Sequence, residues 1–103
     1  MSPPRHPPSL SAKERLILEL LARGDELYGL QMVAASKRRL KRGTIYVTLG
    51  RMERKGYVRS RLEEAPPQAG GLPRRLYTLT ATGRRLLTAW DHVARHLIPE
   101  PAR

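Results

Sequence analysis

Apolar positions change their period along this chain, and each change marks an element. Leu16, Ile17, Leu20 and Leu21 recur on one helical face. Just ahead of them, Ser11-Ala12-Lys13-Glu14 has the S-x-x-E form in which the two outer side chains satisfy each other's free backbone N–H groups. Gly24 stands where a left-handed stop belongs, so the first helix is predicted over 11–23. A shorter helix is predicted over 27–36, with Leu30, Val33 and Ala34 facing inward. Ile45, Leu49 and Met52 fall at i, i+4 and i+7 and form one narrow buried stripe. That stripe predicts a third helix over about 44–55, begun by Thr44 as cap or first-turn residue and stopped at Gly56.

Beyond Gly56 the alternation shortens. Tyr57 to Glu64 alternates loosely and is bounded by Pro66 and Pro67, and Arg75 to Leu79 is a second strand-like run. The Pro- and Gly-rich stretch 65–74 between them reads as a hairpin tip, with Gly70 and Gly71 for the turn and Pro73 stiffening its exit. Thr80 is a good N-cap for a last helix over 81–98, where Leu86, Leu87, Trp90, Val93, Ala94 and Leu97 recur before Pro99 ends it. The expected fold is mainly α with a small β-hairpin. It is a winged helix-turn-helix over 11–80, with a flexible Pro-rich arm at 1–10, a C-terminal dimerisation helix at 81–98 and a tail at 99–103. The apolar stripe of the last helix would lie exposed without a partner, which is why dimerisation is expected.

Length and composition narrow the function. The 103 residues suit one domain, and the absence of cysteine removes disulfides, zinc–thiolate clusters and cysteine nucleophiles. No apolar run nears the roughly 20 residues that span a bilayer. Met1 to Ser9 lacks the apolar core of a secretory signal, so a cytoplasmic, nucleoid-associated protein is expected, with no membrane partner. Twenty Lys and Arg against nine Asp and Glu give a net charge of +11, and 16 of those cations are Arg. Arginine's planar fork matches phosphate oxygens and the guanine edge, so double-stranded DNA is the expected partner.

Enzyme chemistry has no foothold. The carboxylates are scattered, no phosphate-loop or nucleophile motif occurs, and the adjacent Asp91 and His92 diverge around a helix. His92 and His96 are one turn apart with no third ligand evident, so neither metal nor cofactor is expected.

The third helix carries the chemistry. Opposite its buried stripe lie Val47, Gly50, Arg51 and Arg54, with Thr44 and Tyr46 at the flanks and Arg42 just before the helix. Arg51 can pair with guanine, Val47 can meet a thymine methyl, and the Tyr46 hydroxyl can anchor a phosphate. On the hairpin, Arg74 and Arg75 point to opposite faces. Arg74, nearer the tip, is expected on DNA, and Arg75 either joins it or pairs with Glu63 or Glu64 across the hairpin.

Four stretches together resemble the PadR family of bacterial winged-helix regulators, in its small subgroup with a single C-terminal helix. They are Leu27-Tyr28-Gly29-Leu30, Gly43 to Leu49, Arg51 to Val58, and Gly70 to Thr80 with Gly83 beyond, and the likeness covers about 15–90. The resemblance implies a dimeric transcriptional regulator, commonly a repressor, binding an inverted-repeat operator and open to gating by a small planar aromatic effector. It implies a dimer interface built from the first and last helices, here Leu16, Leu20, Leu86, Trp90, Val93 and Leu97. Trp90, the only tryptophan, is then either interface core or an effector contact. Val47 departs from the pattern, since the family often has proline there, so an operator sequence does not carry over. Two other readings of the charge remain open: an architectural DNA- or RNA-binding protein without base readout, and a winged helix that binds protein.

Overall fold

The first helix, α1 (Ala12–Arg23), starts on its capping box: Glu14 N–H donates to Ser11 Oγ at 3.1 Å, and Ser11 N–H donates to Glu14 Oε1 at 2.9 Å. This computed structural model describes residues 8–24, 26–63 and 74–97, with residues 96 and 97 as backbone only. Leu16, Ile17, Leu18, Leu20 and Leu21 of α1 are all buried, and the helix forms the centre of the core. The expected left-handed stop at Gly24 is absent. Gly24 is extended, with φ −113° and ψ 179°, because the chain runs on directly into a strand.

That strand, β1 (Leu27–Tyr28), corrects the sequence expectation, which began the second helix at residue 27 and allowed only a two-stranded hairpin. Leu27 pairs with Tyr77 and Tyr28 with Leu76, so β1 is the third strand of an antiparallel sheet. Two residues are too few to show a period, and their partners lie some fifty positions away. The helix α2 (Gly29–Ala35) follows, its start satisfied by Tyr28 N–H donating to Gln31 Oε1 at 2.7 Å. Its inward face also differs from expectation. Met32 is fully buried and Val33 partly so, whereas Leu30 is 44% exposed and Ala34 is exposed.

The helix α3 (Ile45–Arg54) places Ile45, Leu49 and Met52 in the core, as their spacing predicts. Gly56 then takes φ +82°, a left-handed conformation that costs glycine little. It turns the chain into β2 (Val58–Glu63), which pairs antiparallel with β3 (Arg74–Leu79) from Val58 opposite Leu79 to Glu63 opposite Arg74. The sheet order is β1-β3-β2, and the predicted hairpin tip lies outside the described residues.

The last helix, α4 (Ala81–Leu97), docks on α1 through Leu86 and Leu87, and Arg15 Nη2 bonds Asp91 Oδ1 at 2.6 Å across the same contact. Thr80 caps it as expected, its Oγ1 accepting from Gly83 N–H at 3.0 Å. The Thr80 hydroxyl also reaches Gly56 O at 2.6 Å and Tyr57 O at 3.0 Å, while Thr80 N–H donates to Tyr57 O at 3.1 Å. The first turn of α4 is thereby pulled so close to the α3–β2 junction that a Cβ on Gly83 would sit 2.1 Å from Tyr57 O.

Two consequences are measurable. Ala is a better helix former than Gly by about 1 kcal/mol, yet Gly83→Ala is expected to destabilise by about 3 kcal/mol or more, because the clash is with backbone that cannot yield. Urea unfolding of the variant checks the sign. The second concerns Glu14, which is 4% exposed with its Oε2 3.3 Å from Lys55 Nζ. Burial pushes its carboxyl up, but the Ser11 N–H and the Lys55 ammonium together outweigh that and hold it below the ordinary 4.5. A depressed carboxyl stabilises the fold above its unfolded value, and the contribution is lost as pH falls through the lower folded value. Melting of the wild type should therefore drop more steeply than that of Glu14→Gln between about pH 6 and pH 3, the two curves converging in acid.

Candidate nucleic-acid interface

One face of α3 is left to solvent by the packing of the other. While Ile45, Leu49 and Met52 are sealed in, Tyr46 is 49% and Val47 60% exposed, and Arg51 and Arg54 are also exposed. Thr44 sits at the helix start with its side chain making no capping bond; its carbonyl instead accepts from Thr48 N–H at 3.1 Å and Thr48 Oγ1 at 3.2 Å. Arg42 is exposed one turn ahead. The predicted residues of this helix thus share one open surface with mixed donor, acceptor and apolar character.

The Tyr46 ring is seated against α2. It lies over Gly29 at the start of that helix, where a Cβ would meet Tyr46 Cε1 at 2.7 Å. Gly29 therefore works as a seat for the ring, which is the physical sense of the Tyr28-Gly29 pair that sequence inspection marks without explaining.

The wing arginines differ from expectation in their ion pairing. Arg74, not Arg75, takes the acidic partner: Glu63 lies directly across from it, with Arg74 Nη2 at 3.6 Å from Glu63 Oε1. The Arg74 guanidinium also lies 4.5 Å from the centre of the Tyr28 ring, and the Tyr28 hydroxyl donates to Glu63 Oε1. The Glu63 hydrogen bond is the main reason that the Tyr28 phenol is held above its usual pKa. Arg75 is exposed and donates to Ser60 Oγ at 2.9 Å, with no carboxylate bound among the described residues. Next to this cluster, Arg61 makes a two-pronged bond to Glu26, both contacts at 2.7 Å, which lowers the Glu26 carboxyl. Sequence reasoning missed Glu26, Tyr28 and Arg61 as wing supports. Each pairing spans about 35 residues, so no local pattern announces it.

Between α2, α3 and the sheet lies a cleft of about 620 Å³, lined by Tyr28, Leu30, Tyr46, Leu62, Arg75 and Tyr77 among others. Its apolar lining explains why Leu62, 58% exposed, stands on the open face of the strand.

The expected dimer residues divide. Leu16, Leu20 and Leu86 belong to the core of the single chain, because α4 folds back on α1 and covers them. Their burial within the chain differs from the intersubunit position that the family resemblance implied. Trp90 and Val93 remain half-exposed, Trp90 Nε1 donating to the Pro8 carbonyl at 2.9 Å. The Leu97 side chain lies outside the described residues. Among the described residues no group of three His, Cys, Asp or Glu could hold a metal ion, and no helix is long and apolar enough to cross a membrane.

Three helices, a three-stranded sheet with a wing, and an appended fourth helix define a winged-helix protein. The chain belongs to the transcriptional regulator PadR-like family, which matches residues 17–89. It is similar to a PadR family transcription regulator from hypervirulent Clostridium difficile R20291, with 31% identity, a TM-score of 0.67, and 81% of this chain and 86% of that one covered. It is also similar to Bacillus subtilis PadR, solved in complex with operator DNA, at 25% identity and a TM-score of 0.70. That match covers 92% of this chain and 51% of the other, so the present chain spans about half the length of that regulator. No curated protein matches the chain. The family is one of regulators, not enzymes.

Gly29→Ala tests the Tyr46 seat. The added methyl meets the far end of a movable side chain, so the fold should survive with its far-UV circular dichroism unchanged. The Tyr46 ring should be pushed outward, read as a change in its aromatic NMR shifts; unchanged shifts would remove Gly29 from the site.

Proposed function

We propose that this chain is a sequence-specific DNA-binding transcriptional regulator, a dimeric repressor acting on an inverted-repeat operator. The observation that carries the reading is the two-sidedness of α3: a sealed apolar stripe on one side, and Tyr46, Val47, Arg51 and Arg54 presented together on the other. An α-helix fits the major groove of B-DNA, and its N-terminal residues meet base edges first. In this role Arg51 pairs with guanine, Val47 meets a thymine methyl, and Tyr46, seated over Gly29, holds a phosphate with Thr44 and Arg42. Arg54 supports the far end. On the wing, Arg75 is the readier contact, and Arg74 joins when DNA displaces Glu63 from it.

Residues 11–80 serve as the DNA-binding unit and 81–98 as the dimerising helix, using the face that holds Trp90 and Val93, with Leu97 beyond. If a planar aromatic effector gates the protein, Trp90 meets it through its ring faces, since the indole N–H is already committed to Pro8. The DNA bound to the Bacillus subtilis relative supports the partner class.

Selection from a randomised duplex library at about physiological salt tests the reading. The expected product is an inverted repeat with half-sites about 10 bp apart or a multiple of that. Binding without enrichment would make the protein an architectural one. On the selected site, Arg51→Ala should cost roughly 1–3 kcal/mol and relax preference at one base pair per half-site.

A further inference from the structure

The turn between α2 and α3 carries Lys37, Arg38, Arg39, Lys41 and Arg42, five cations in six positions, around a single apolar residue, Leu40. It is not a loose loop. Leu40 is inserted into the core, and the buried Ser36 hydroxyl donates to Val33 O at 2.8 Å and accepts from Leu40 N–H at 2.9 Å. Lys41 O accepts from both Thr44 N–H and Ile45 N–H, at 3.2 and 2.9 Å, which joins the turn rigidly to the first residue of α3.

Two features of this turn work against stability. Lys37 and Arg38 hold φ values of +54° and +73°, the left-handed region that side chains disfavour, and they do so consecutively. The five cations also repel one another, and no carboxylate among the described residues relieves them. Each of the six described carboxylates is engaged elsewhere: Glu14 with Lys55, Glu19 and Asp91 with Arg15, Glu26 with Arg61, Glu53 with Ser60, and Glu63 with Arg74. All five cationic residues are exposed. Strain and unrelieved charge, held in place by a buried anchor, are typical of a surface kept for a ligand.

We infer that Lys37, Arg38, Arg39 and Lys41 form a phosphate clamp that grips the DNA backbone beside the groove α3 enters, without reading bases. This inference rests on the DNA-binding reading above. The geometry supports DNA over a folded acidic partner. The turn leads into the N-terminal end of α3, and when that end sits in a groove about 12 Å wide, the residues just before it meet the phosphates of the groove wall.

The test uses the full chain and a duplex bearing the selected site, with Lys37→Gln, Arg38→Gln, Arg39→Gln and Lys41→Gln combined. Each phosphate contact contributes about 0.9 to the slope of log affinity against log salt. The combined variant should lower that slope by about 2 or more per bound chain, with the ratio of specific to random-duplex affinity unchanged. A smaller drop, or a fall in that ratio, overturns the clamp. Arg38→Gly alone guards against misfolding as the cause, because it removes a cation and relieves a left-handed residue together. Its melting temperature should not fall, while its affinity near 0.1 M salt should drop about eightfold per bound chain. Affinity equal to wild type overturns the proposal. If the wild type itself shows no salt-dependent binding to the duplex, the DNA-binding reading fails instead, which the two measurements separate.

Discussion

The Thr80 hydroxyl is the point on which the arrangement of this molecule turns. It lies within bonding distance of the carbonyls of Gly56 and Tyr57 and caps the first turn of α4 through Gly83. Four segments meet there: the end of α3, the start of β2, the end of β3 and the start of α4. The angle between α3 and the wing is set by that junction, because both leave it in fixed directions. Gly56 supplies the left-handed turn and Gly83 the missing side chain, so the junction depends on two glycines for two different reasons. One concerns backbone torsion, the other closeness of approach. This contact holds the end of α3 and the root of the β2–β3 hairpin together.

Charge is partitioned as sharply as apolar surface. A net charge of +11 spread evenly would make a generally sticky protein. Instead, the described carboxylates are drawn into the scaffold. Glu14 and Lys55 tie α1 to the end of α3, Arg15 and Asp91 tie α1 to α4, and Glu26 with Arg61 braces the sheet. Among the described residues, the cations without a carboxylate partner include those of the α2–α3 turn, the outer face of α3 and Arg75, alongside Lys13, Arg23, Arg59, Arg84, Arg85 and Arg95 elsewhere on the surface. Exposed ion pairs contribute little to stability one at a time. Their larger effect here is positional, since they remove negative charge from the side that DNA would approach. Glu63 is the exception. It stays on the wing and holds Arg74 beside the Tyr28 ring.

Local pattern determined a good deal of this protein. The capping box at Ser11, the Ile45/Leu49/Met52 stripe and the Thr80 cap lie where period and cap chemistry put them, because each depends on residues within one or two turns of one another. The two strands of the hairpin follow from the change to a shorter alternation. The outer face of α3 follows from the same arithmetic: once one stripe is buried, the opposite residues are exposed. The basic character of the α2–α3 turn is equally plain from composition.

What only the tertiary structure decided is whatever joins distant positions. The strand at Leu27 and Tyr28 exists because Leu76 and Tyr77 offer it hydrogen bonds. Leu30 faces out and Met32 in because that strand shifts the start of α2 by two residues and rotates its faces. Leu16, Leu20 and Leu86 look like an intersubunit stripe in sequence, but α4 folding onto α1 buries them within one chain. The pairing of Glu63 with Arg74, and not with Arg75, follows from a strand register that no residue spacing specifies. Side-chain period is a property of a single element and survives in the sequence. Register, docking angle and the partner of a charge belong to pairs of elements, and they appear only once the chain has closed on itself.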